Sequence, residues 1–239
     1  MSVPTSLSSR YPALPRPPTA ARPLHVVLAC TGSVASVKVP DIVTGLLAYP
    51  HIHVHVVASA AALHFFDAGA VEALDTRASS FGVRELAAMN CAAGEPADRA
   101  QAVTAPRAKV WRDADEWAAW TKVGDPVLHI ELRRWADVVL VAPCSADTLA
   151  KIAHGLCDNL LLSFLRALSP GTPTWVYPAM NTLMYLHPLT AQHASSLEAL
   201  GYEVHGPIAK RLACGDLGMG AMLEWADIVR MVAERYGVV

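Results

Sequence analysis

A chain of 239 residues suffices for one large domain and leaves little room for two. With 53% apolar and 17% charged residues it can bury a sizeable core, and a formal charge of −2 gives no general reason to expect nucleic acid or an anionic membrane as partner. Five cysteines, odd in number and without a C-x-x-C pair, argue against a disulfide framework or a structural zinc site and fit a reducing, cytoplasmic compartment; no apolar run approaches the ~18 residues of a membrane span.

Residues 1–23 are dense in Pro, Ser and Arg and lack the apolar h-region of a secretory signal, so they read as a disordered lead to a single folded unit over 24–239. LHVVLAC, from Leu24, is a short continuous apolar run of the kind covered on both faces in a parallel sheet. It runs into Thr31, Gly32, Ser33 and Val34, then a helix expected over 36–48. A glycine at a strand-to-helix turn lets backbone N–H groups approach a phosphate. Neither the dinucleotide fingerprint nor a P-loop is present, which leaves a mononucleotide-type phosphate site, better suited to FMN than to NAD or ATP, or a tight turn without a ligand. A second strand over 53–58 leads to Ser59 and a helix containing His64. His51, His53 and His55 alternate on one strand face, but no carboxylate or cysteine stands beside them at ligand spacing, so no metal site is expected.

Between Ser79 and Arg107 the pattern loses its period, as expected of a surface insertion. Residues 113–120 read as a helix start or turn. In GDPVLHIELRRWADVVLVAP, Asp125 is placed to cap a helix with Pro126 at its first position. Leu128, Leu132 and Trp135 form its buried stripe, with His129 and Arg133 on a neighbouring face. One histidine and two arginines suit anion binding and proton transfer; a solvated helix face is the plainer alternative. The strand DVVLVAP runs into Ser145, Ala146, Asp147 and Thr148, whose hydroxyls can bond a phosphate or a flavin edge. TWVY is a fourth buried strand, followed by PAMNTLMYLHP: Ala179, a polar Asn181 between Met180 and Met184, and a helix interrupted by Pro188. An amide just past a strand's carboxyl end sits where an open α/β sheet places its ligand, although an Asn helix cap with core methionines reads equally well. A helix over 189–200, a short strand near 202–205 and a glycine-rich stretch around Cys214 follow, the last suggesting a turn or hairpin over 211–222 that closes on a site. A helix over 224–236 completes the chain.

Four of these blocks, ACTGSVASVK, GDPVLHIELRRWADVVLVAP with CSADTLAKIAHGLCDNLL, PAMNTLMYLHP and RLACGDLGMGAM, stand in one order and together resemble the homo-oligomeric flavin-containing cysteine decarboxylases, from Leu24 to Met222. The resemblance implies a flavodoxin-like, doubly wound α/β domain that binds FMN. It places the flavin against Gly32, Ser33, Val34, Ser59, Ser145, Ala146, Asp147, Thr148 and Ala179. It assigns His129 as base, Asn181 as ligand of the substrate carboxylate and Cys214 as the acid of the last step. Arg134, Met184, Ala213 and Gly215 would line the substrate. The implied reaction converts 4′-phosphopantothenoylcysteine to 4′-phosphopantetheine, in a homotrimer whose active sites are shared between chains.

The sequence departs from that family's pattern in three places. Asp147 replaces a common Asn and would place a carboxylate near the flavin, weakening its binding or raising its own pKa; Tyr185 replaces a frequent Trp; and the 79–107 stretch is long. The rival expectation is a regulatory or split-site relative that inhibits a protein phosphatase; such proteins carry long extensions and acidic tails, which this sequence does not show. A flavin prenyltransferase is a weaker third reading, disfavoured by the Cys214–Gly215–Asp216 block.

Overall fold

The computed structural model describes residues 18–75, 81–92, 105–211 and 217–238. Six parallel strands form one sheet: β1 (Leu24–Cys30), β2 (Ile52–Ala58), β3 (Ala108–Trp111), β4 (Val138–Cys144), β5 (Thr174–Pro178) and β6 (Glu203–Val204), in the order β3-β2-β1-β4-β5-β6. A separate antiparallel hairpin pairs β7 (Ile208–Arg211) with β8 (Leu217–Ala221).

The central strands are predominantly apolar because both faces are covered, with His25 in β1 and His53 and His55 in β2 as exceptions. In β1, Val26, Leu28 and Cys30 pack into a layer with α1 (Val39–Leu47), α2 (Ala68–Glu72) and the C-terminal helix Trp225–Tyr236, numbered α10 below. Val27 and Ala29 face the opposite layer, built from α3 (Val83–Ala92), α5 (Leu128–Trp135), α6 (Ala146–His154), α7 (Leu160–Ala167) and α9 (Pro188–Ala199). Two short helices complete the set: α4 (Asp113–Ala119) and α8 (Thr182–Leu186), with α10 closing the chain. This is the doubly wound α/β arrangement expected from the sequence.

Several expectations are refined. Val34–Lys38 is a 3₁₀ turn that hands over to α1, whose second position is Pro40. The edge strand β3 was not anticipated. Residues 1–17 of the expected lead lie outside the described residues, while Thr19 and Arg22 form a bridge just before β1. The described part of the 79–107 stretch is not a surface excursion: α3 buries Leu86 completely, with Phe81 and Val83 nearly so, against the layer that holds α5. Its weak period hid it, because its buried face is completed by residues outside the helix. Nor does Asp125 cap α5, which begins at Leu128 after Val127. Its carboxylate instead accepts bonds from Thr121 N, Thr121 Oγ1 and Lys122 N, closing the preceding loop and holding Asp125 below the usual carboxylate range, the Thr121 hydroxyl contributing most. These bonds lie in a surface loop, so they bear on loop geometry and not on the core.

Candidate active site

Sheet order reverses between β1 and β4, and the crevice outside the carboxyl ends of these strands is where such a fold places its ligand. One buried residue ties the two ends together. Thr31, 1% exposed, donates from Oγ1 to Pro143 O at 2.8 Å and accepts from Ser145 N at 2.8 Å. Gly32 follows, and it must lack a side chain: a Cβ there would lie 2.7 Å from Ala61 Cβ, in the turn after β2. The turns after β1 and β2 are thus pressed together, and the serine of each faces the same end of the sheet. Ser33 Oγ accepts from Ala35 N at 3.4 Å and Ser59 Oγ from Ala62 N at 3.3 Å. After β4, Ser145 caps α6 by accepting from Thr148 N at 3.2 Å and lies 3.1 Å from Thr148 Oγ1. Ala146 opens that helix. Val34 is half exposed beside these polar turns. The Asp147 carboxylate is 71% exposed and pairs with Lys151 Nζ at 3.3 Å, an ammonium that also binds Asp158 at 2.9 Å. Its charge is therefore compensated on the outer face of α6, a partner that the sequence reading left out.

The end of β5 supplies the next wall. Ala179, 4% exposed, donates its N–H to Cys144 O at 2.9 Å, which sets the following residues beside the end of β4. Asn181 caps α8, its Oδ1 accepting from Leu183 N at 2.9 Å. The capping role and a ligand role are compatible, since a carboxylate would be bound by the amide's donor end. Thr190 Oγ1 donates to Met184 O at 2.6 Å, joining α8 to α9, and the Met184 side chain is half exposed. Leu183 and Leu186 are exposed on the same short helix.

The β7–β8 hairpin docks on this corner. Met180 N donates to Gly220 O at 2.9 Å, and Gly218 sits over Thr182, where a Cβ would fall 2.5 Å from Oγ1. Ala213, Cys214 and Gly215 fall in 212–216, between the two strands and outside the described residues. Thr182 Oγ1 is buried and makes no hydrogen bond among the described residues.

His129 stands at the second position of α5, with its side chain 27% exposed. Its Nδ1 is hydrogen-bonded to Glu116 Oε1 of α4, the helix's one buried side chain. Two residues on, Glu131 is buried and holds two partners: Arg134 Nη1 donates to Oε1 at 2.6 Å, and Asn90 Nδ2 of α3 donates to Oε2 at 2.8 Å and to the Glu131 carbonyl at 2.9 Å. Arg134 is thereby set from α3, and His129 from α4. Leu128, Leu132 and Trp135 are buried as the spacing required. Within one chain, His129 makes no hydrogen bond to Asn181 among the described residues; Glu116 is its partner there.

The sequence reading missed Thr31, Glu116, Glu131 and Asn90. Glu131 carried a signal, an acid in register with the buried stripe of α5. Thr31, Asn90 and Glu116 carried none, because their partners lie 114, 41 and 13 residues away.

The donor set fits a flavin mononucleotide. Polar turns converge at three adjacent strand ends, and glycine keeps the first of them close to the second. A model of the Flavoprotein family matches residues 15–237. A phosphopantothenoylcysteine decarboxylase of Mus musculus is 41% identical over 215 residues, which are 90% of this chain and 88% of the mouse protein. The chain belongs to the phosphopantothenoylcysteine decarboxylase family of flavoproteins. Among solved structures, a cysteine-to-serine variant of PPC decarboxylase complexed with pantothenoylaminoethenethiol superposes with a TM-score of 0.72 at 40% identity, covering 90% of this chain and 100% of that one. The FMN binding protein AtHal3 does so at 0.69, also 40% identical, covering 90% and 98%. A probable thymidylate synthase of Schizosaccharomyces pombe is 41% identical over 213 residues; the chain spans only 29% of its length, so that protein's name describes a much longer molecule. In this chain the sheet order brings the turns after β1, β4 and β5, which hold residues of the first three sequence blocks, to one edge.

Proposed function

We propose that this chain is an FMN-dependent decarboxylase of 4′-phosphopantothenoylcysteine, forming 4′-phosphopantetheine for coenzyme A synthesis. The observation that carries the reading is the docking of the β7–β8 hairpin on the Met180–Asn181 corner, at the carboxyl end of the sheet where the polar turns converge. That docking sets β8, which follows the segment containing Cys214, beside Asn181, the proposed carboxylate ligand.

The chemistry the flavin supplies when bound is reversible two-electron oxidation of the substrate's CH₂–SH group, which makes the carbon beside Cα an electron sink. Gly32, Ser33, Val34, Ser59, Ser145, Ala146, Thr148 and Ala179 would hold it, with the Asp147 carboxylate turned away to Lys151. Asn181 orients the carboxylate, so that its C–C bond breaks toward the thioaldehyde and leaves an enethiolate. His129 takes the thiol proton. Arg134, braced by Glu131, supplies a positive charge for the anionic substrate. Met184, Ala213 and Gly215 line the substrate, and Cys214 delivers the proton that completes the saturated product. The exposed apolar side chains Val34, Val37, Leu183 and Leu186 suit burial against a second copy of the chain, and a homotrimer would bring His129 of one copy to Asn181 of the next.

The deciding assay follows CO₂ and product mass from the purified, flavin-loaded protein with 4′-phosphopantothenoylcysteine under anaerobic conditions. Catalytic formation of phosphopantetheine without added oxidant is expected, and Cys214→Ser should accumulate the unsaturated enethiol. A flavin-loaded protein that releases no CO₂ overturns the reading in favour of a regulatory or split-site protein.

A further inference from the structure

Helix α4 is built the wrong way round for an ordinary surface helix. Its large apolar residue, Trp117, is 77% exposed, while the neighbouring Glu116 is 9% exposed and is the only buried residue of the helix. Burying a carboxylate is unfavourable unless it is paired and hydrogen-bonded. The other two acids of α4 are engaged with backbone: Asp113 Oδ1 accepts from Leu160 N at 2.8 Å, and Asp115 Oδ2 accepts from Arg112 N at 2.7 Å. Glu116 alone turns to a side chain, and that side chain is His129, bonded through Nδ1.

We propose that Glu116 is the positioning residue of His129, fixing the imidazole in its Nδ1–H form so that Nε2 is the nitrogen that accepts the substrate's proton. This rests on the decarboxylase reading for the identity of the proton, but not for the tautomer itself. A neutral imidazole carries its proton on one nitrogen, and a carboxylate against Nδ1 selects that nitrogen as donor. When Nε2 takes the thiol proton, the ring becomes an imidazolium and Glu116 remains an anion, so the pair is neutral. No proton need pass to the carboxylate. The 13-residue separation is spanned by the loop that Asp125 closes onto Thr121 and Lys122, which fixes α4 relative to α5. Glu131 does not compete for the ring, since its oxygens are occupied by Arg134 and Asn90.

The test uses flavin-loaded protein labelled with ¹⁵N-histidine, the His129 signals being assigned by their loss in His129→Gln. Wild type is expected to show Nδ1 protonated and Nε2 bare in the neutral ring. Glu116→Gln, which keeps the volume and can present either an acceptor or a donor to Nδ1, is expected to mix the two tautomers. It should lower kcat by about 10- to 100-fold with KM changed by less than about threefold, and Glu116→Asp should recover part of the loss. A wild-type His129 protonated on Nε2 overturns the proposal, as does a Gln variant with wild-type nitrogen shifts and kcat. If Glu116→Gln does not fold, the wild-type tautomer and the Asp variant still decide. If the wild type releases no CO₂, the decarboxylase reading falls and the nitrogen shifts alone judge the role of Glu116.

Discussion

Gly220→Ala tests whether the hairpin must lock onto the Asn181 corner. Gly220 has φ = +135°, a conformation that side-chain-bearing residues rarely adopt, and an added Cβ would lie 2.2 Å from Met180 O. That is about 0.8 Å inside the 3.0 Å floor of real Cβ contacts, and the obstructing atom is backbone, so it cannot rotate away. The strained φ costs ~1–3 kcal/mol. Displacing the strand also forfeits the Met180 N to Gly220 O bond, another ~0.5–1.5 kcal/mol. Together these weaken docking by ~1.5–4.5 kcal/mol, roughly a 10- to 1,600-fold shift toward the undocked hairpin. Native-state hydrogen exchange should report it: peptides covering 208–211 and 217–221 should exchange faster by about that factor, while those of β1 and β4 stay protected. Turnover should fall with the docking, because Cys214 is carried between the two strands. Unchanged exchange in the hairpin, or full turnover alongside accelerated exchange, would refute the reasoning.

Three other outcomes follow from the geometry. Thr31→Val should remove both bonds that join the ends of β1 and β4, leaving Ser145 N and Pro143 O without that partner. The expected loss is ~2–3 kcal/mol in a denaturant titration, with Thr31→Ser close to wild type; a Val variant of wild-type stability would contradict the tie. His55, 1% exposed, is stacked on Trp135 at 3.8 Å and accepts from Trp111 Nε1 at 3.2 Å. Burial first, then the charges of His25, His53 and Lys109, hold it well below the ordinary histidine range. The unfolded chain therefore takes up the proton first: this contribution to stability is present above the unfolded pKa of about 6.5 and is lost as pH falls below it. Tm should drop between about pH 6.5 and 5, and less so in His55→Gln; equal slopes would rule His55 out as the cause. Asp147→Asn should change the FMN dissociation constant by less than about threefold, since the carboxylate is exposed and already paired with Lys151; a tenfold tightening, measured by flavin fluorescence, would show that its charge reaches the ligand.

Much of the scaffold was legible because its signals are local. Strands β1, β2, β4 and β5 are predominantly apolar and almost wholly buried, as cover on both faces demands, and the serine after β4 and the asparagine after β5 cap the helices they precede. The carboxyl ends of these strands gather the candidate flavin residues for the same reason, since every right-handed crossover returns its turn to one edge. Strand β3 was not legible: its four residues AKVW are too few to show a period, and only pairing with β2 makes them a strand. Helix α3 was hidden because Leu86 is buried by other elements, not by a stripe of its own.

By itself the sequence determined the doubly wound sheet, the places where its turns carry hydroxyls, and the four-block pattern that marks the family. Tertiary structure alone decided which polar groups meet. Of the three acids in α4, all within four residues, only the packing of α4 on α5 selects Glu116 for His129, and only the packing of α3 brings Asn90 to Glu131 and so braces Arg134. Hydrophobic periodicity encodes which face of an element is buried. It does not encode which side chain of a distant element will be waiting there.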